Sequence, residues 1–178
     1  MRTALFAVGF LGFVFIATYA YFTVQFLVPF TPPWQGVEEM NNEFIENREA
    51  LVLVRDYLAE LEFESVLIGS DHINDGVISI RGEHIAIESE DVLGALTYLF
   101  DRGFQVIIRR SDIIRFQKWS TLDHGRGIAY SIDGRIPDEN GIQHLTEIES
   151  LSEEGWYFYI ADFNVWRTRI QRGTSEGV

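Results

Sequence analysis

The sequence predicts an α+β fold, an N-terminal transmembrane helix carrying one domain with a mainly antiparallel sheet and two or three helices. Three observations predict it. The first thirty residues hold one long apolar run, short β-rich segments cluster around amphipathic helical stretches, and strands and helices do not alternate regularly. Such clustering favours an antiparallel sheet with helices on one face over a doubly wound fold. With 178 residues there is room for a single domain at 37–172, reached through a proline-rich linker at 31–36 and followed by a flexible tail at 173–178.

No charged side chain lies between Thr3 and Val37, and Thr3–Phe30 is a 28-residue run broken only by Thr, Gln and Gly. About 20 apolar residues suffice to cross the hydrocarbon core, so residues 1–30 are expected to act as a signal anchor in the lipid bilayer. Pro29, Pro32 and Pro33 end the helix, and Trp34 sits where an interfacial aromatic belongs. Arg2 before the run and the next basic residue only at Arg48 place the N-terminus in the cytoplasm and the domain outside it. The competing reading is a signal peptide cut after Ala20.

Beyond the linker, Val37, Met40, Phe44, Leu51, Val54, Leu58 and Leu61 recur at three-and-four spacing, which predicts an amphipathic helix over 37–61 with a charged outer face. Ser65–Gly69 and Val77–Arg81 read as a hairpin around the turn formers 70–76, and His84–Glu88 as a third strand. Ser89 is a good N-cap, Glu90 and Asp91 favour a first turn, Val92, Leu96 and Leu99 form a stripe, and Gly103 closes the helix. Phe104–Arg109 follows as a strand.

Ile113–Trp119 fits neither period cleanly. Gly127–Ile132, Asp133-Gly134 and Arg135–Pro137 predict a hairpin with a type I′ turn. Ile142, Leu145, Ile148 and Leu151 predict a further helix, and Trp156–Ala161 a final strand. Phe163–Ile170 has no assignment from sequence.

After Trp34 there are 27 acidic and 13 basic residues, a net charge of −14. A domain this acidic repels phosphate, so nucleic acid is not an expected partner. Without cysteine there is no disulfide, thiolate nucleophile or Cys-based metal site.

Asp71, Asp75 and Gly76 match three positions of a calcium loop, but Ile73 and Gly82 occupy two others, so turn chemistry is the better reading. Gly125-Arg126-Gly127 neither follows a clear strand nor opens a helix, which makes it a tight turn rather than a dinucleotide motif. His72, His84, His124 and His144 show no metal-ligand spacing, and Ser70 lacks a nucleophile-elbow context. No cofactor, metal ligand or catalytic residue is predicted.

One basic cluster interrupts the acidity: Arg109, Arg110, Arg115 and Lys118, followed by Trp119. Arginine and tryptophan are enriched at interface hot spots, so these five are the candidate partner-binding residues, weighed against pairing with the acidic helices. The functional expectation is a membrane-anchored protein-interaction module, an accessory subunit of an envelope complex being one form. The alternative is a membrane-bound hydrolase whose Asp71, His72, Asp123 and His124 converge on folding. A third option, a small-ligand or peptide sensor, requires a deep apolar pocket.

Overall fold

The computed structural model describes residues 36–63, 65–70, 77–80, 83–120 and 124–175. They form α1 (Val37–Glu60), β1 (Ser65–Gly69), β2 (Val77–Ile80), β3 (Glu83–Ala86), α2 (Glu90–Asp101), β4 (Val106–Arg110), β5 (Ile113–Ser120), β6 (His124–Ser131), β7 (Leu145–Ser150), β8 (Trp156–Asp162) and α3 (Phe163–Ser175). The eight strands make one sheet in the order β3-β2-β1-β4-β5-β6-β8-β7, and every pairing is antiparallel. The α+β class, the antiparallel sheet and three helices are therefore features of the described chain.

Among the described residues no helix is long and apolar enough to cross a membrane. The longest, α1, has 24 residues but carries seven acidic side chains and two arginines. The single-pass membrane reading, with its cytoplasmic N-terminus and extracytoplasmic domain, is corrected on this finding and not carried further. Residues 1–30, on which it rested, and the 31–35 part of the linker lie outside the described residues, as do the Asp71, Asp75 and Gly76 of the calcium-loop comparison.

The core is read most directly across the sheet. Registers align Ile68, Ile107, Phe116, Ile128 and Phe158 in one row over five strands, all buried. Met40, Phe44, Leu51, Val54 and Leu58 of α1 and Val92, Leu96 and Leu99 of α2 close over that face. Trp156 packs against Phe44 with ring centroids 5.0 Å apart and against Tyr130 at 4.9 Å. A second, smaller cluster forms around Ile113, Ala129, Ile142, Leu145, Tyr159 and Ala161. Alternation along β5, β6 and β8 sends side chains to both faces, and both are at least partly covered.

Caps appear where the local chemistry asks for them. The Ser89 side chain accepts from Val92 N at 3.3 Å, and Gly103 ends α2 with φ +88°. At the other end of the sheet the expected helix over 142–151 is corrected: Leu145–Ser150 is β7. A bulge between Leu145 and Glu147 shifts the register by one residue. Two side chains three residues apart, Leu145 and Ile148, then join the same apolar cluster, a spacing that imitates a helix.

The same device explains Ile113–Trp119, which is strand β5 with a bulge between Gln117 and Trp119. Arg135–Pro137 is not a strand, and β6 pairs with β5 and β8 instead. Asp133 and Asp138 hold this stretch as successive turns: Asp133 Oδ1 accepts from Ser131 Oγ at 2.9 Å and Arg135 N at 3.0 Å, and Asp138 Oδ1 from Asn140 N at 2.9 Å. Arg135 N on Asp133, and on Asp138 first the Asn140 side-chain amide, which donates to Oδ2 at 2.9 Å, hold both carboxyls below the usual carboxylate range. Only Gly134 of the Asp133-Gly134 pair has positive φ, so the turn is not type I′. Phe163–Ser175, unassigned from sequence, is α3, which runs into the segment expected as a tail.

Candidate functional site

The five residues of the predicted basic cluster are divided among different surroundings rather than gathered in one patch. Arg109 stands in the row Val66, Arg109, Ile114, Tyr130, Trp156, and its guanidinium reaches across to the end of α1. There it donates to Leu58 O and to Leu61 O, the latter at 2.6 Å. α1 has no basic residue in its last turn and no glycine at its C-cap, so Arg109 supplies from the sheet the terminal donor that the helix lacks.

Lys118 is ion-paired with Glu43 of α1 and lies 5.4 Å from the Phe104 ring centroid. Arg110 is exposed, beside the 133–141 turns. Arg115 is half-buried, with no partner at Nε. Trp119 lies 5.8 Å from the Arg126 guanidinium and 6.0 Å from the His124 ring. Arg126 itself is buried, and burial lowers its pKa.

Glycine at 125 and 127 serves close approach in β6 rather than a turn. A Cβ on Gly127 would stand 2.1 Å from Phe116 O. Of the alternative hydrolase residues, Asp71, His72 and Asp123 lie outside the described residues, while His124 Nε2 is 3.0 Å from Asp162 Oδ2. His144, at φ +60°, sits against the Phe163 and Trp166 rings. Among the described residues no three His, Asp or Glu side chains are placed to hold a metal ion.

Two surface concavities stand out among the described residues. A polar cleft of about 320 Å³ lies between the β4–β5 turn and the 133–141 turns, lined by Arg110, Asp112, Asp133 and Arg135. The larger, about 660 Å³, runs between α1 and α2 on the helix layer. Its α1 wall is Ile45, Glu49 and Leu53, one stripe at four-residue spacing; its α2 wall is Gly94, Ala95 and Tyr98. Ile45, Leu53 and Tyr98 keep 54%, 38% and 39% of their surface exposed.

This groove is a consequence of what the two core stripes leave over. α1 buries Met40, Phe44, Asn47, Leu51, Val54 and Leu58, so Ile45 and Leu53 fall on the flank next to α2. α2 buries Val92, Leu96 and Leu99, so Gly94 and Tyr98 fall on the opposing flank. Gly94 has nothing within 4 Å of the position its Cβ would take. The signal in the sequence was therefore present: large apolar residues at Ile45, Leu53 and Tyr98 that no core stripe explains.

The groove lining mixes the apolar Ile45, Leu53 and Tyr98 with Glu46 and Glu49, and Arg48 is ion-paired to Glu153. Comparison with protein-family models, with curated proteins and with solved structures finds no match for the chain.

Proposed function

We propose that the domain is a protein-interaction module that docks a partner on its helix layer. The carrying observation is the groove between α1 and α2, with Ile45, Leu53 and Tyr98 large, apolar and exposed at its edges. Completing the burial of such side chains contributes about 1 kcal/mol or more apiece. Grouping them in a concave strip gives a partner more contact area than scattered surface residues would.

A photo-crosslinking residue placed at Tyr98 of the full chain in its host cell tests the reading. A discrete adduct with another protein is expected, absent from the same label at exposed Glu147 on β7 and lost on adding Leu53→Glu. Leu53 is not a core residue, so this substitution should leave unfolding unchanged. Equal labelling from both positions, or an adduct indifferent to Leu53→Glu, would overturn it.

A further inference from the structure

From the charges around the groove we infer that its occupant is a cationic amphipathic helix of a partner protein; this rests on the interaction reading above. Two observations carry it: the dimensions of the groove and the sign of the charge around it.

Ile45 and Leu53 are eight residues apart on α1, a span of about 12 Å at about 1.5 Å per residue. Apolar anchors at i, i+4 and i+7 of a partner helix cover a similar length. The opposing wall is low where Gly94 and Ala95 face the groove, and it rises again at Tyr98. A glycine inside a helix costs about 1 kcal/mol relative to alanine. No packed neighbour requires that one, since nothing lies within 4 Å of its absent Cβ. The missing side chain instead leaves space through which another backbone can approach.

The charge is one-sided. α1 carries seven acidic residues against Arg48 and Arg55, and α2 carries three acidic residues and no basic one. Arg48, the one cation lining the groove, is ion-paired with Glu153, which leaves Glu46 and Glu49 to set the local sign. Exposed apolar side chains interleaved with carboxylates complement a helix that carries both apolar residues and lysine or arginine, and repel an acidic one.

The probe is a fluorescent Leu/Lys model peptide about four turns long, compared with a Leu/Glu peptide of the same spacing and a Leu/Lys peptide scrambled to lose helical period. Each is titrated into the full chain by fluorescence anisotropy. The helical Leu/Lys peptide is expected to bind, with the scrambled one weaker by about tenfold or more. Gly94→Leu, which fills the low wall, and Glu46→Gln with Glu49→Gln, which removes two negative charges from the groove, are each expected to weaken binding by about tenfold. Glu147→Gln with Glu149→Gln, which removes as much charge from β7, is expected to change it less than about twofold.

Equal binding of helical and scrambled peptides, or equal loss from the β7 double variant, would reduce the effect to diffuse charge attraction and overturn the inference. Self-association that Leu53→Glu abolishes, with no peptide bound, would assign the groove to a second copy and also overturn it. A Leu/Glu peptide binding as well as the Leu/Lys one would overturn the partner's charge and leave the docking function standing. If no helical peptide binds and Tyr98 also yields no adduct in cells, the interaction reading falls with it.

Discussion

Tyr159 is fully buried in β8 with a hydroxyl that has no hydrogen-bond partner. Burial penalises the phenolate, so its pKa is pushed up to about 12, against an ordinary value near 10, with Arg115 only partly opposing the shift. The folded chain then holds a proton that the unfolded chain releases between those two values. The associated stability is fully present below pH about 10 and is lost as pH rises towards about 12. Tyr159→Phe is expected to flatten that alkaline decline in urea-unfolding free energy. At neutral pH it should be neutral or slightly stabilising, because an orphaned hydroxyl is removed without creating a cavity. A steep decline persisting in the variant would assign the alkaline sensitivity elsewhere.

At the scale of an element, α1 shows how a helix borrows its ending. It opens with Glu38 and Glu39 in the first turn, which suits the positive end of the helix dipole. Its last turn has no cation, and Leu61 at the C-cap is extended, so the final carbonyls find their donor in Arg109 of β4. Hydrogen bonds to a charged donor contribute about 1.5–3 kcal/mol, and Arg109→Met keeps most of the apolar stem while removing them. The expected outcome is a loss of about that size in urea unfolding, with faster amide exchange confined to the last turn of α1. A variant of unchanged stability would show that water caps the helix equally well.

Across the whole molecule, charge is segregated on the helix layer. α1 and α2 together hold ten acidic residues and two arginines, side by side over the same sheet face. Lys118 offsets one of these charges by pairing with Glu43, whereas Arg48 is drawn to Glu153 outside the two helices. Repulsion between exposed like charges is screened by salt, with a Debye length falling from about 30 Å at 0.01 M to about 8 Å at 0.15 M. The thermal midpoint of the isolated chain is therefore expected to rise by about 2–4 °C between those ionic strengths. The helical peptide's affinity should fall over the same range, since the same carboxylates attract it. A midpoint that falls with salt would mean that internal ion pairs outweigh the repulsion.

The sequence by itself determined those features whose cause is local. The period of the α1 stripe, the Ser89 cap and the Gly103 stop follow from local side-chain chemistry, and β1, β4 and β8 are short runs of β-branched or aromatic residues that mark strands by composition. Tertiary structure decided the rest. Bulges in β5 and β7 arise from pairing with neighbouring strands, and each moves apolar residues out of the period by which a strand is recognised. Arg109 looked like a surface hot spot because its true partners, Leu58 O and Leu61 O, lie 51 and 48 residues away. The groove needs two helices brought together over one sheet, so Ile45, Leu53 and Tyr98 acquire a common address only once the core stripes beside them are buried. Periodicity is a property of one backbone segment, whereas a surface is shared between segments, and only packing determines which residues share it.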